Sequence, residues 1–215
     1  MSFVTDLLLK ATAQTLYMTF VSTFLASLFG LVLAVVLLLT KKGGLMPNRA
    51  IFTTLDAVVN CLRSFPFIIL IIVLFPFTRW LIGTSIGTTA AIVPLVIGAA
   101  PFVARLIENA MNEVSGDIVE AAQSFGASKS QIIFKVILPE ALPSIINAIT
   151  LTLIVIVGFT AMAGTVGGGG LGDVAMRYGY QRFRPDILLY TVVILIVLVQ
   201  LIQMCGDFLY RLTKK

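Results

Sequence analysis

The chain has 215 residues with a net charge of +5, and 59% of them are hydrophobic against 12% charged. A mean hydropathy of +1.05 excludes a water-soluble domain, which carries about a quarter charged residues. The same composition points to an all-α integral membrane protein, and the length suits one domain spanning residues 1–215.

Charges punctuate the chain into five candidate spans. Leu16 to Leu39 is free of charge for 24 residues, more than the roughly 20 a bilayer needs. The segment before it carries Asp6 and a single Lys10, a poor basic region for a cleavable signal, so the N-terminus is expected to be kept. A second run, Asp56 to Arg79, is interrupted by Arg63 and contains Pro66 and Pro76. An arginine one or two turns inside a helix end can snorkel to the headgroups, so the span is retained with Arg63 near the inner face. Trp80 to Ala104 is a third, with Pro94 and Pro101 two turns apart on one side, beside Gly98, Ala100 and Ala104. That composition suits a helix that bends and packs closely, and also matches the general tolerance of membrane helices for proline. Ala141 to Gly164 is a fourth span and Ile187 to Gly206 a fifth. Cys61 and Cys205 lie inside apolar runs and are expected to be small buried hydrophobes.

Orientation follows from lysine and arginine between spans. With the N-terminus outside, Lys41, Lys42, Arg49, Arg105, Lys129, Lys135, Arg211, Lys214 and Lys215 fall inside, and Lys10, Arg79, Arg177, Arg182 and Arg184 outside. The N-terminus is therefore expected out and the C-terminus in. This distribution explains the net charge without a nucleic-acid partner.

Between spans three and four lies a polar stretch, "VEAAQSFGASKSQ", residues 119 to 131. Asp117 followed by Glu120 has the spacing of a capping box and predicts a helix from Ile118 to Phe125, ended by Gly126 in a left-handed conformation. Ser128 followed by Gln131 is a second capping box, predicting a helix from Lys129 to Leu138 that Pro139 and Pro143 close. Ile118, Val119 and Ala122, with Ala121 and Phe125 beside them, form a small apolar ridge. Such a ridge can dock on another protein or on its own membrane domain.

The run "GTVGGGGLG", Gly164 to Gly172, lacks the Gly-Lys-Ser/Thr of a phosphate-binding loop. It is expected to be a flexible or tightly packed connection at the outer face, or a place where two subunits cross closely. The amphipathic segment after it, Asp173 to Asp186, suits packing on the membrane surface, with contact to an external binding protein as the alternative. No paired catalytic carboxylates, nucleophile with a base or metal-ligand cluster is evident, and the absence of histidine removes imidazole chemistry. The acids Glu108, Glu113, Asp117, Glu120 and Glu140 read as a solvated inner face. From the residues alone the chain could be a transport subunit, a channel or secondary carrier, or a membrane scaffold.

The stretch Glu120 to Pro139, "EAAQSFGASKSQIIFKVILP", resembles the EAA loop of ABC importer permeases. Glu120, Ala121, Ala122, Gly126, Leu138 and Pro139 match that pattern, and Val136 stands where isoleucine is usual. "TLYMTFVSTFLASLFGLVLAVVL", "LRSFPFIILIIVLFPFTR" and "AMAGTVGGGGLGDVAMRYGYQRF" are similar to permeases of the methionine uptake group, and "RSFPF" stands where polar amino-acid permeases more often carry "RGTP". The resemblance implies a type I ABC importer permease fold: five transmembrane helices, a core of about residues 13–207 and a cytoplasmic coupling loop at 111–140. It implies those six residues as the coupling element, and a multi-pass location in the inner membrane, among lipid. It also implies a cytoplasmic ATPase dimer, a second permease copy and an extracytoplasmic substrate-binding lipoprotein as partners. No cofactor is then expected on this chain, since ATP and magnesium belong to the ATPase. The implied cargo is methionine, L or D, with another small amino acid as the alternative. No residue pattern marks a substrate site.

Overall fold

A computed structural model describes residues 2–214, which are helical apart from short connections. Lys215, counted above among the inner charges, lies outside the described residues. The long helices are α1 (Ser2–Thr40), α3 (Phe67–Ile82), α4 (Thr88–Asn112), α8 (Leu142–Ala163) and α10 (Pro185–Thr213). Shorter ones are α2 (Arg49–Arg63), α5 (Gly116–Ser124), α6 (Lys129–Gln131), α7 (Leu138–Glu140) and α9 (Gly170–Val174). Among the described residues four helices are long and apolar enough to cross a membrane, and α2 with α3 makes a fifth, broken candidate.

The second span is corrected by the structure. It is not one helix from Asp56 to Arg79: α2 and α3 meet at 107°. Pro66 is the cause. It disfavours helix for Phe65 and has no N–H to continue the ladder, so α2 ends at Arg63 and α3 starts at Phe67 with Pro66 as its cap. The third span also moves, starting at Thr88 rather than Trp80, because Gly83 and Gly87 hold left-handed turns between the helices.

α4 is the central helix. Two thirds of its most apolar window is buried (67%), against 17% for α10. Its two prolines and Ala99, Ala100, Val103 and Ala104 are enclosed by α1, α3 and α8.

The first helix is built inside out by the standards of a soluble protein. Its buried stripe is Ala11, Thr15, Met18, Thr19, Ser22, Ala26, Gly30, Ala34 and Leu37, recurring every three or four residues. Its outward positions are large and apolar, including Phe20, Phe24, Leu28 and Val32. Small inward residues let α1 and α4 approach closely: a Cβ on Gly30 would stand 2.8 Å from Val103. Large apolar residues on the outside suit hydrocarbon rather than water. Cys61 and Cys205 join them, being exposed and not buried as expected. Both sit on outward helix faces.

The glycine run is a tight intramolecular junction at the end of α8 opposite α5. A Cβ on Gly172 or Gly164 would collide with backbone of the facing turn, so the chain folds back on itself without side chains between. The amides of Gly170 and Leu171 donate to Gln14 Oε1 (3.0 Å) and Thr15 Oγ1 (2.9 Å) of α1. The Gly87 amide donates to the Gly167 carbonyl at 2.9 Å, which ties in the loop before α4. Of the readings offered by the sequence, the tightly packed connection is the one found within this chain. The segment after it is helical through Tyr180, with Leu171 and Val174 buried against Ala11 and Ile187.

Candidate functional site: a coupling surface and an intramembrane cavity

Two places stand out: the polar loop from Asn112 to Leu142, and a cavity half way along the long helices.

In the loop, α5 starts at Gly116 and its cap is Ser115, whose hydroxyl accepts from the Asp117 amide at 3.3 Å. The Asp117–Glu120 capping box expected from the sequence is not formed. Asp117 instead stands in the first turn, where its carboxylate complements the helix dipole. Phe125 ends the helix and Gly126 follows at φ +78°. The Gly126 amide donates to the Gln123 carbonyl at 2.9 Å and the Ala127 amide to the Ala122 carbonyl at 3.0 Å. This pair of bonds is a Schellman motif, and it requires a left-handed residue at position 126. A Cβ there would meet nothing within 4 Å, so conformation alone demands the glycine.

The second capping box forms as expected. Gln131 N–H donates to Ser128 Oγ (3.4 Å), and Ser128 N–H to Gln131 Oε1 (2.8 Å). The helix it starts does not stop at Leu138. It widens into a π turn over Ile132–Ile137 and continues through Pro139 to Glu140. Pro139 lacks the N–H that a regular turn would use, and the widened turn accommodates this. The break comes at Ala141, with Pro143 in the first turn of α8.

The apolar ridge of α5 splits between two surroundings. Val119 and Ala122 pack inward with Val114, Ala127 and Leu138 against the membrane core. Ile118, Ala121 and Phe125 face out, and Phe125 is 91% exposed. Glu120 is exposed on the rim of a cleft formed with the α1–α2 connection, and Pro139 is exposed on the following helix. The six motif residues thus divide: Ala122 and Leu138 anchor, Glu120, Ala121 and Pro139 face out, and Gly126 makes the turn.

Polar side chains tie this loop's neighbours together. Arg105 of α4 reaches Asp56 Oδ1 (2.5 Å) and Asn60 Oδ1 (3.2 Å) of α2, and Glu108 Oε2 (2.7 Å) on its own helix. Arg105 and Glu108 are mostly buried, so neither belongs to the solvated inner face. Arg105 also drops out of the loop charges that set orientation. Glu113 accepts from Ser144 of α8 at 2.6 Å, and Lys41, just after α1, donates to Asn112. The end of α4 nearest α5 is thereby pinned to α2, to α8 and to the residue that follows α1.

The cavity has a volume of about 530 Å³ and is lined by α2, α3, α4 and α8. Phe67 and Phe159 stack on its wall with centroids 4.0 Å apart and planes 9° apart. Gly98 and Phe102 of α4 and Val155 of α8 also line it. At 1.5 Å per residue, Gly98 and Phe102 stand about 15 and 21 Å along a helix of about 37 Å. Arg63 lines this cavity beside Gly98 and Phe102 of α4, one turn beyond Asn60 of α2, which bonds Arg105. No ion pair or hydrogen bond engages its guanidinium among the described residues. A break in α2–α3 at Pro66 brings it there, which charge-counting along one straight helix could not reveal.

Residues 26–215 match the family described as binding-protein-dependent transport system inner membrane component. The chain belongs to this family. The permease is 58% identical over 206 residues to a probable D-methionine transport system permease protein, MetI, of Vibrio cholerae serotype O1, covering 96% of this chain and 92% of that one. It is 47% identical over 206 residues to the methionine import system permease protein MetP of Bacillus subtilis, covering 96% and 93%. A chain from inward facing conformations of the MetNI methionine ABC transporter superposes with a TM-score of 0.96 at 47% identity, each chain covered to 97%. A chain from an amino acid ABC transporter with histidines shares the fold, with a TM-score of 0.79 at 22% identity and coverage of 96% and 94%. The permease is accordingly a multi-pass inner-membrane component with the type I fold, and not itself an enzyme.

Proposed function

We propose that the permease is the membrane-spanning subunit of an ATP-driven importer of methionine, in the L or D form. Similarity along almost the whole chain to methionine permeases supports the cargo, at 58% and 47% identity. The observation that carries the mechanism is the division of α5: Val119 and Ala122 are partly buried against the hydrophobic core, while Ile118, Ala121 and Phe125 are offered outward.

On this reading residues 1–215 act as one domain with the N-terminus outside and the C-terminus inside. Two copies pair about a two-fold axis, with a cytoplasmic ATPase dimer on the α5 faces and a substrate-binding lipoprotein on the outer side. ATP and magnesium bind the ATPase, and this chain holds no cofactor of its own. Glu120, Ala121, Ala122, Gly126, Leu138 and Pro139 form the coupling element. ATP closes the ATPase dimer, the two α5 helices move together, and the polar pins at the base of α4 carry the movement to α1, α2 and α8. The inner gate closes as the outer one opens, and release of ADP reverses it.

The test is uptake of labelled methionine into liposomes holding the permease with its ATPase, ATP inside and binding protein outside. Uptake that needs ATP supports the reading. Uptake that ignores ATP contradicts it in favour of a channel or secondary carrier.

A further inference from the structure

Arg63 is an exposed, unengaged guanidinium on the wall of an open concave space that an aromatic stack also lines. An ionisable residue among membrane-spanning helices is costly unless it meets a partner. Here no carboxylate lines the cavity and none pairs with Arg63 among the described residues. The volume of about 530 Å³ falls within the range of small-molecule sites.

We propose that this cavity is an intramembrane binding site for an apolar α-amino acid in transit. Its carboxylate is held by Arg63 and its side chain lies against Phe67, Phe102 and Phe159. The inference rests on the amino-acid reading of the permease and adds a site within it. A guanidinium presents a planar pair of donors that matches a carboxylate, and a thioether packs favourably against aromatic rings. The same arrangement says what is not read. The ligand's ammonium group has no counter-charge in the lining, so the site discriminates weakly between L and D forms. It also accepts other unbranched apolar side chains.

The experiment uses the complete permease–ATPase complex with Cys61→Ser, Cys205→Ser and Ser64→Cys, so that one thiol of this chain stands on the cavity wall. Labelling of that thiol by a charged methanethiosulfonate reagent is followed by mass spectrometry of this chain. L- and D-methionine are expected to slow labelling severalfold and to similar extents. Methioninol, which lacks the carboxylate, is expected to leave it unchanged. Arg63→Gln should abolish the protection and lower ATP-driven uptake by about tenfold or more, while Arg63→Lys, keeping the charge, should retain part of both. Loss of protection in Arg63→Gln with partial retention in Arg63→Lys separates ligand binding from misfolding.

Labelling unaffected by methionine, in a complex that imports methionine with ATP, would overturn the site. Protection by methioninol equal to that by methionine would overturn the role of Arg63. If the complex imports no methionine, the proposed cargo fails. A panel of leucine, norleucine and phenylalanine then decides the cavity: protection by any of them upholds it, and protection by none refutes it.

Discussion

The amide of Ala127 donates to the carbonyl of Ala122 at 3.0 Å, across the left-handed turn at Gly126. Ala122 is partly buried against the hydrophobic core, so this bond sets the angle at which the exposed end of α5 projects. An L-residue at φ +78° costs about 1–2 kcal/mol, and nothing near Gly126 would clash with a Cβ. Gly126→Asn should therefore keep most ATP-driven uptake, Gly126→Ala should lose more, and Gly126→Pro should lose nearly all. Equal loss for all three would show that the site demands space instead of conformation.

Phe125 is 91% exposed and contributes little to folding. Phe125→Ala should leave the thermal stability of the detergent-solubilised permease within about 0.5 kcal/mol. Its effect should appear in assembly, weakening the hold on the ATPase by about 2 kcal/mol or more if it fills a pocket there. Thermal unfolding of the permease and sedimentation of the complex read the two effects separately.

Arg105 holds two carboxylates, and the one on Glu108 is almost fully buried. Arg105→Ala strands that charge and should destabilise the permease by about 3 kcal/mol. Asp56→Asn, at a half-exposed partner, should cost clearly less. Comparable melting temperatures for Arg105→Ala and wild type would refute the pin.

The reversed stripe on α1 gives a paired prediction. Ser22 is fully buried and Phe24, two residues on, is 70% exposed. Ser22→Leu should overpack the α1–α4 contact and cost about 1–3 kcal/mol, whereas Phe24→Leu should change stability by less than about 0.5 kcal/mol. Thermal unfolding in a single detergent compares them directly.

Much of this was legible in the residues. Runs without charge located α1, α4, α8 and α10 to within a few turns, and Ser128, Gln131 and Gly126 marked their local structure because caps and left-handed turns depend on near neighbours. Asp117 misled for the same reason: Ser115 stands two residues earlier and reaches the helix start first. The bend at Pro66 is not legible in the residues, since proline in a membrane run can either kink a helix or end it. That bend brings Arg63 to the cavity wall and so hid the cavity. The lining comes from α2, α3, α4 and α8, a meeting of distant segments with no periodic signature. Burial of Cys61 and Cys205 was misjudged because apolar runs here have outward as well as inward faces.

The most direct test of the account measures uptake and ATP hydrolysis together in liposomes holding the permease, its ATPase and the binding protein. Wild type is compared with Phe125→Ala and Gly126→Pro. The account expects wild-type methionine uptake to require ATP. In both variants, still membrane-inserted, uptake should fall by about tenfold or more, along with any stimulation of hydrolysis by the loaded binding protein. Undiminished ATP-driven uptake in both variants would contradict the assignment of α5 as the coupling element.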